Sequence, residues 1–447
     1  MTGRPAAPAR ALGFWMCLAL VMGNMIGSGV YLLPASLAPY GWNALFGWVL
    51  TVGGALCLAV VFGRLARTLP QAGGAYGFVE AGFGRFPAFI VGLTYWISVL
   101  IANAAIAIAA VSYLSIFAPG MADISGLPAI MAVLLIWLVT LINLIGARAA
   151  GGFQLVTTVV KLLPLAAVAV IALLLALGIG EARALPFHAD QISGSAITAT
   201  AALTLWAMLG FESAAIPQGK VDRPAVTIPR ATVFGTLLVG LIYIVTCSAI
   251  TLLLPADQVA RSNAPFADFI ALYWGHGPAL LIALFAAVSA IGALNGWVLI
   301  QGELPLAMAR AGSLPRWFAV TGRGDTPVRG LIVSTAFVTL LVLMNYSRSM
   351  ADLFTFMALL ATAATLVLYL ACAAASVKLT LNGRMPHSTP FLIVAGLGVV
   401  YAVWTFYGAG LEASGWIIVL LAAGAPLYLL LPRSVTADHA ADEGAVG

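Results

Sequence analysis

The fold of this chain is decided by the stretch Gly23-Asn24-Met25-Ile26-Gly27-Ser28-Gly29, which lies inside an apolar run from about Leu12 to Pro34. Its glycines weaken a helix, because glycine adopts backbone conformations that are closed to other residues. We therefore predict a membrane helix that is broken at this point. An unwound segment is tolerated at membrane depth only where it is buried in protein or lines a cavity, since unpaired backbone groups are costly in hydrocarbon.

A break of this kind would also create a binding site. The free N–H groups of Gly27, Ser28 and Gly29 would lie at the positive end of the following half-helix, where they suit a carboxylate. The alternative is that these glycines only let two helices pack closely, as small residues often do in membranes. The stretch by itself is compatible with both interpretations.

The composition is that of a protein that crosses the bilayer many times. The chain has 447 residues, of which 62% are hydrophobic and 8% are charged, and its mean hydropathy is +1.07. Soluble domains carry about 25% charged residues. The first apolar run lacks a convincing signal-peptide cleavage site, so we expect a retained helix. The cysteines lie in apolar segments at no metal-ligand spacing, and we predict neither a metal site nor a cofactor.

Twelve membrane spans are predicted from runs of mostly apolar residues that are long enough to cross a bilayer. Their approximate ranges are 12–39, 43–68, 86–117, 127–146, 153–178, 194–219, 228–254, 277–311, 327–345, 351–377, 388–409 and 413–431. Together they make one membrane domain over residues 12–431. Residues 1–11 form a short N-terminal segment, and we predict that the polar tail, residues 432–447, is disordered.

The distribution of positive charge predicts the orientation. If the N-terminus is cytoplasmic, 16 of the 20 Lys and Arg residues fall in inside loops and ends, whereas the outside holds only Arg183, Arg261 and Arg348. Such a bias predicts that both termini are cytoplasmic. It also accounts for the net charge of +5, so we predict no nucleic acid partner.

The sixth span carries a second interruption, in the stretch Leu205-Trp206-Ala207-Met208-Leu209-Gly210-Phe211-Glu212-Ser213. The first and sixth spans are the same helix in two halves of five spans. Inverted-repeat transporters have broken helices at such matching positions and bind substrate between them at the midplane. The repeat is inferred here from position and not from internal sequence similarity.

Two ionisable residues lie deep within predicted spans: Glu212, directly after the second break, and Lys161, in the fifth span. An ionisable group near the bilayer centre costs at least about 2.5–3.5 kcal/mol, so each residue is a functional candidate. We predict that Glu212 exchanges protons. The alternative is that its carboxylate only holds neighbouring helices together through permanent hydrogen bonds. Lys161 lies roughly 12 Å into its span. The alternative to a functional role is that its side chain snorkels to the cytoplasmic face.

Four segments carry a resemblance to a known family: Gly27 to Pro34, Pro70 to Tyr76, Thr204 to Ser213, and Gly292 to Trp297. In these segments the chain resembles the amino acid–polyamine–organocation superfamily, and within it the bacterial arginine/agmatine antiporters and their basic amino acid and polyamine relatives. The resemblance extends over nearly all of residues 12–431. It implies an all-α membrane fold of the leucine-transporter type, with five plus five inverted helices, broken first and sixth helices and two added C-terminal helices. It also implies alternating access around one central site.

The resemblance implies roles at that site. Ser28 and its glycine neighbours would hold the substrate carboxylate, and carbonyls around Ala207 to Gly210 would receive its ammonium. Trp206 would cover the substrate, and Trp297 would pack on a cationic side chain, which gains about 0.5–2 kcal/mol over an indole face. The full predicted substrate site is Ile26, Gly27, Ser28, Gly29, Tyr95, Asn103, Trp206, Ala207, Leu209, Gly210, Trp297 and Leu359.

Several of these residues have simpler alternatives. Asn103 matches a position that accepts from a guanidinium, but a buried amide often only bridges neighbouring helices. Tyr95 could serve interfacial packing alone. Glu212 matches a carboxylate that senses protons or ties the gate, and Lys161 takes the place of a sodium ion in sodium-coupled relatives. Gating or proton coupling is therefore predicted for these two charges, without sodium.

The tenth span departs from the antiporter pattern. The antiporters have serines facing the guanidinium, whereas this chain has the apolar stretch Met357-Ala358-Leu359-Leu360-Ala361. This difference weakens the case for arginine and leaves room for a neutral amino acid.

The predicted function is secondary active transport of amino acids across the bacterial inner membrane, by exchange or proton-linked transport of a basic amino acid and its amine product. The alternative is a proton-linked permease or exporter of neutral amino acids on the same fold. A membrane enzyme is disfavoured because the chain has no catalytic motif, and a channel because it has no filter-like motif. The predicted partners are a small amino acid or amine and the lipid bilayer, and a homodimer is left open.

Overall fold

A computed structural model describes residues 13–27, 29–70, 74–118, 120–121, 124–145, 160–181, 184–212, 221–322, 326–345 and 348–429. Within these ranges the regular structure is helical. The helices are α1 (Phe14–Met25), α2 (Gly29–Leu37), α3 (Trp42–Thr68), α4 (Ala75–Phe83), α5 (Arg85–Leu114), α6 (Leu127–Ile145), α7 (Leu162–Ala176), α8 (Gly194–Met208), α9 (Pro224–Leu253), α10 (Ala256–Arg261), α11 (Pro265–Trp274), α12 (His276–Arg310), α13 (Val328–Leu343), α14 (Met350–Leu381), α15 (Thr389–Gly408) and α16 (Gly410–Leu429).

The described helices fit a protein that spans the membrane many times, as predicted. Seven of them are long and apolar enough to cross a bilayer: α3, α5, α6, α9, α12, α14 and α15. The pair α1 and α2 passes the same test as one bent span, and four shorter apolar helices overlap the predicted fifth, sixth, ninth and twelfth spans. The exact count of twelve and the inverted repeat stay predictions. The predicted N-terminal segment and tail lie outside the described residues.

The first span is interrupted where the glycine-rich stretch predicts. Helix α1 ends at Met25 and α2 begins at Gly29, with a bend of 44° between them. The amide of Gly27 donates to the carbonyl of Met25 at 2.8 Å, so it does not continue the i to i+4 pattern of α1. This bond also corrects one expectation, because the Gly27 N–H group is not free for a ligand. Ser28 lies outside the described residues.

Helix α8 ends at Met208, inside the predicted sixth span, and residues 213–219 of that span lie outside the described residues. The non-α-helical residues 209–212 that follow α8 are called the second break. Leu209 has extended backbone geometry, and Gly210 has φ +108°, a conformation that suits glycine. A methyl group added to Gly210 would lie 3.1 Å from the carbonyl oxygen of Asn24. The two breaks therefore meet in the interior of the bundle.

Helix α5 lies at the centre of the bundle. It packs against α12 and α14, while α3 packs against α8 and α9. The membrane-length window of α5 is 89% buried, and its many alanines allow neighbouring helices to approach closely. By contrast, α6 exposes large apolar side chains such as Leu134 and Leu138. Such a face suits contact with lipid and positions α6 at the outside of the bundle.

Candidate functional site at the two helix breaks

A small cavity lies where the two breaks meet. Its volume is about 40 Å³, a few times the roughly 10–15 Å³ that a cavity needs to hold one water molecule. Helices α5, α12 and α14 complete its wall. The lining residues are Asn24, Met25, Gly27, Gly29, Tyr95, Ser98, Val99, Ala102, Ile106, Trp206, Ala207, Leu209, Glu212, Trp297 and Thr365. This conformation is closed around a space smaller than an amino acid, so a substrate requires the walls to move apart.

The structure brings many of the predicted site residues together and leaves others outside this wall. The residues in the wall are Gly27, Gly29, Tyr95, Trp206, Ala207, Leu209, Trp297 and Glu212. Ile26 and Gly210 belong to the breaks themselves but are not lining residues. Asn103, Leu359 and Lys161 also lie outside the wall. The binding roles of all these residues stay predictions.

Asn103 connects helices. It is fully buried, and its amide nitrogen donates to Gln301 Oε1 at 2.8 Å. The amide of Gln301 in turn donates to Thr335 Oγ1 at 3.0 Å, which links α5, α12 and α13. This arrangement matches the helix-bridging alternative. The side-chain oxygen of Asn103 has no hydrogen-bond partner within the described ranges.

On the tenth span, Thr365 and not Leu359 reaches the cavity. Six residues separate the two positions, which places them about 120° apart around a helix. The predicted apolar stretch therefore does not form this wall. The sequence does not single out Thr365, because the stretch that matches the antiporter serines is Met357 to Ala361 and the rotation of the helix is not evident from its residues.

Glu212 links several elements at the cavity. Its side chain is 5% exposed and accepts hydrogen bonds from Tyr95 Oη at 3.0 Å, from Tyr369 Oη at 2.8 Å and from the Gly210 amide at 3.1 Å. These donors come from α5, α14 and the second break. The carboxylate thus holds both long helices against the break, and it also faces the cavity, where a bound cation could reach it.

Lys161 completes the first break. It is 1% exposed, and its Nζ donates to the carbonyl of Gly23 at 2.6 Å. In a continuous helix that carbonyl would accept from the amide of Gly27, which here donates to Met25. The ammonium therefore replaces a lost helix partner, and the snorkelling alternative is wrong. Tyr243 similarly donates to the carbonyl of Met25, at 2.9 Å.

Two aromatic layers close the cavity. On one side Trp206 packs edge-on against Phe354, with ring centroids 6.4 Å apart. On the other side Phe211 packs against Tyr369 at 4.8 Å. Phe354 and Tyr369 are separated by about 22 Å along α14, and Thr365 lies between them. The two pairs therefore lie on opposite sides of Thr365 along α14, towards the two ends of the bundle.

A larger cavity of about 490 Å³ lies beyond the Phe354 layer. Its lining includes Leu353, the residue before Phe354, together with Arg261 and Arg348. These two arginines are among the few positive charges predicted to lie outside. This cavity therefore lies on the predicted outer side of the bundle, and it shares no lining residue with the central cavity.

Trp206 supplies an unused hydrogen-bond donor. Its indole nitrogen is buried and has no partner among the described residues. A methyl group added to Gly29 would lie 2.5 Å from that nitrogen, so the indole lies against the first residue of α2. The N–H group and the start of α2 are both chemically suited to a carboxylate.

This fold and this site define a class: a multi-span helical membrane protein with a small central cavity between the broken first span and the end of α8. Secondary transporters bind substrate at such helix breaks. The chain belongs to the amino acid permease family, whose model matches residues 12–426. The predicted superfamily is confirmed by this match.

Several curated proteins are similar along almost the whole chain. The cadaverine/lysine antiporter of Escherichia coli (strain K12) is 33% identical over 428 residues, which cover 92% of this chain and 93% of that protein. The putrescine transporter PotE of Haemophilus influenzae is 31% identical over 426 residues, covering 95% and 97%. PotE of Escherichia coli (strain K12) is 30% identical over 441 residues, covering 96% and 98%. The bacterial relatives and the apolar helices support a multi-pass protein of the bacterial inner membrane.

Proposed function

We propose that this protein exchanges a basic amino acid for its amine product across the inner membrane, by alternating access around the central cavity. The observation that carries the proposal is the small cavity at the two breaks. Its wall has aromatic faces, an indole donor that has no partner among the described residues, and the carboxylate of Glu212. The names of the relatives favour lysine with cadaverine, or putrescine. We therefore place these compounds ahead of arginine and agmatine, which the sequence resemblance put first.

The cavity offers different chemistry to each part of a basic amino acid. The carboxylate would lie at the start of α2 beside the indole nitrogen of Trp206, and the α-ammonium at the C-terminal end of α8, near Ala207. The methylene chain would contact Val99 and Ile106, which make one wall apolar. A diamine lacks the carboxylate but keeps the chain and the ammonium groups, so one cavity would serve both substrates.

Glu212 would couple binding to opening. A substrate ammonium or a proton that reaches the carboxylate competes with the hydroxyls of Tyr95 and Tyr369. Loss of these hydrogen bonds would release α5 and α14 from the second break. The aromatic layer of Phe211 and Tyr369, on the predicted cytoplasmic side of the cavity, would then open. Because an amine needs the carboxylate charged and a proton removes that charge, the two ligands would oppose each other.

Lys161 would make transport independent of sodium. Its ammonium lies at the carbonyl end of α1, where a cation is favoured by the helix dipole. The position is thus already taken by a fixed positive charge.

A neutral amino acid is the second candidate, because Val99, Ala102 and Ile106 would also suit an apolar side chain. The two functions are distinguished in proteoliposomes that contain unlabelled lysine, cadaverine, putrescine, arginine, agmatine or leucine, by measuring uptake of labelled lysine. We expect uptake with lysine or a diamine inside and only background uptake in empty vesicles. Uptake driven by internal leucine but by no amine would support the second candidate, and a lack of exchange with every cationic compound would refute the proposal.

Trp297 provides a variant for the same assay. Loss of a cation–aromatic contact worth about 0.5–2 kcal/mol should raise the KM for lysine about 2- to 30-fold in Trp297→Ala. The matched control is Trp416→Ala, since Trp416 is 50% exposed on α16 and far from the cavity lining. An unchanged KM in Trp297→Ala, or the same increase in Trp416→Ala, would remove Trp297 from the site.

We further propose twelve crossings in two inverted halves with both termini cytoplasmic. The proposal is supported by two breaks at corresponding positions and by the predicted charge bias. Cysteines introduced at the exposed residues Glu181 and Arg316 test the orientation in whole cells. Glu181→Cys should react with a membrane-impermeant maleimide from outside, and Arg316→Cys only after permeabilisation. The reverse pattern would overturn the orientation.

A further inference from the structure

A second, larger groove lies at the end of the bundle predicted to face the cytoplasm. Its volume is about 900 Å³, near the upper end of the range for small-molecule sites, about 300–1,000 Å³. The ends of α1, α3, α9 and α15 form its walls, and it does not share a lining residue with the central cavity. It is therefore a separate site.

The lining combines positive charge with apolar surface. Arg64, Arg67 and Arg230 lie in it, and no Asp or Glu is found among its described lining residues. The α9 side of the groove carries Phe234 and Leu237, which are 48% and 37% exposed. Exposed apolar side chains at membrane depth contact acyl chains, so the groove is open towards lipid.

The arginines are oriented but not neutralised. Arg64 Nη2 donates to the carbonyl of Pro386 at 2.6 Å, and its guanidinium lies 4.5 Å from the ring centroid of Phe391. Its Nε is buried and without a hydrogen-bond partner in the part of the chain that the structure describes. Arg67 and Arg230 are exposed. The ion pairs found within the described ranges involve other arginines.

We propose that this groove binds an anionic phospholipid of the cytoplasmic leaflet. Its phosphate would lie against Arg64, Arg67 and Arg230, because guanidinium groups match phosphate oxygens in bidentate geometry. Its acyl chains would lie along Phe234 and Leu237. Basic pockets between membrane helices at a cytoplasmic surface favour such headgroups. A free phosphate ion would leave the apolar wall unused, so the geometry favours the lipid.

The bound lipid would also contact a functional element. Phe14, the first residue of α1, lines the same groove. Helix α1 leads to the first break, so occupancy of the groove touches the half-helix that forms the central cavity. The lipid site does not depend on the proposed substrate, because its residues and its test are separate from those of the cavity.

The experiment is a lipid titration of the full-length, delipidated protein in detergent, measured by native mass spectrometry. The probes are phosphatidylglycerol and phosphatidylcholine with identical acyl chains. We expect tighter binding of phosphatidylglycerol. Because each arginine near an anionic headgroup accounts for about fivefold in affinity, the double variant Arg67→Gln/Arg230→Gln should bind it about 30-fold more weakly. The matched control is Arg316→Gln, an exposed arginine outside the groove.

Thermal unfolding provides the second measurement. Phosphatidylglycerol should raise the Tm of the unmodified protein and of Arg316→Gln but not that of the double variant. If the double variant does not fold, Arg230→Gln alone should show the fivefold loss. Equal binding of the two lipids, an equal loss in the Arg316 control, or stabilisation by inorganic phosphate to the same extent as by the lipid would overturn the proposal.

Discussion

The contact between the two breaks is tested by a single methyl group. In Gly210→Ala the new methyl group would lie 3.1 Å from the carbonyl oxygen and 3.2 Å from the carbonyl carbon of Asn24. Both atoms are backbone, so they cannot move aside as the end of a flexible side chain could. The backbone of Gly210 also has φ +108°, where a residue with a side chain is strained by about 1–3 kcal/mol.

This strain corresponds to a change of about 5- to 150-fold in the population of the closed conformation. We expect the initial rate of lysine exchange in proteoliposomes to fall by a factor in that range, because alternating access passes through the state in which the breaks touch. The amount of each variant in the proteoliposomes is matched by quantitative immunoblotting before exchange rates are compared.

The control is Gly53→Ala in α3. A methyl group added to Gly53 meets no atom within 4 Å, and alanine stabilises a helix by about 0.5–1 kcal/mol relative to glycine. Gly53→Ala should therefore exchange lysine within about twofold of the unmodified protein. If Gly210→Ala transports as well as Gly53→Ala, the breaks do not meet as described and the reasoning fails.

Three further predictions concern the charges at the breaks. Glu212→Gln removes the charge that accepts three hydrogen bonds, so lysine exchange should fall about 10- to 150-fold and should no longer depend on pH. The control Glu80→Gln, at an exposed ion pair, should behave as the unmodified protein. If exchange by Glu212→Gln still depends on pH, the prediction is wrong. Lys161→Met leaves the carbonyl of Gly23 without its partner at a cost of about 1–3 kcal/mol, which should lower the Tm in detergent. Arg316→Met, at an exposed arginine, should leave the Tm unchanged, and equal Tm values for the two variants would refute the role of Lys161. Replacement of sodium by choline should leave exchange unchanged, and a loss of exchange would show that Lys161 does not take the place of sodium.

Much of the fold follows from local properties of the chain. Glycine content weakens a helix at residues 23–29 whatever surrounds it, and the structure confirms the interruption there. Hydropathy is also a local property, and it predicts most of the membrane helices that the structure describes. Burial of Glu212 and Lys161 was also predictable, because both occur within apolar runs that are long enough to span a membrane.

Partners that are distant in the chain could not be predicted. Tyr369 is 157 residues from the carboxylate that it binds, and Tyr243 is 218 residues from Met25. Many buried tyrosines occur in spans, and no local pattern marks these two. The same reason explains Thr365, whose position in the cavity depends on how α14 is rotated against its neighbours.

The amide of Gly27 illustrates a second limit. The sequence predicts that this amide is free for a ligand, because a broken helix leaves amides unpaired. In the structure the Gly27 amide donates to the carbonyl of Met25. The group that loses its helical partner is instead the carbonyl of Gly23, which accepts a hydrogen bond from Lys161. Which atoms a break leaves unpaired depends on the path of the chain through the break, and composition carries no information on that path.

The sequence by itself determined that this is a many-span helical membrane protein. It also determined where the first and sixth spans break and which two buried charges lie near those breaks. Each of these three features depends on the transfer of nearby residues into hydrocarbon. Only the tertiary structure decided that the breaks touch, that Glu212 holds two tyrosines, that Asn103 bridges helices away from the cavity wall, and that three arginines from two helices share one groove. These features depend on packing between helices that are far apart in the chain, and the rotation of each helix about its axis is set by its neighbours and not by its own residues.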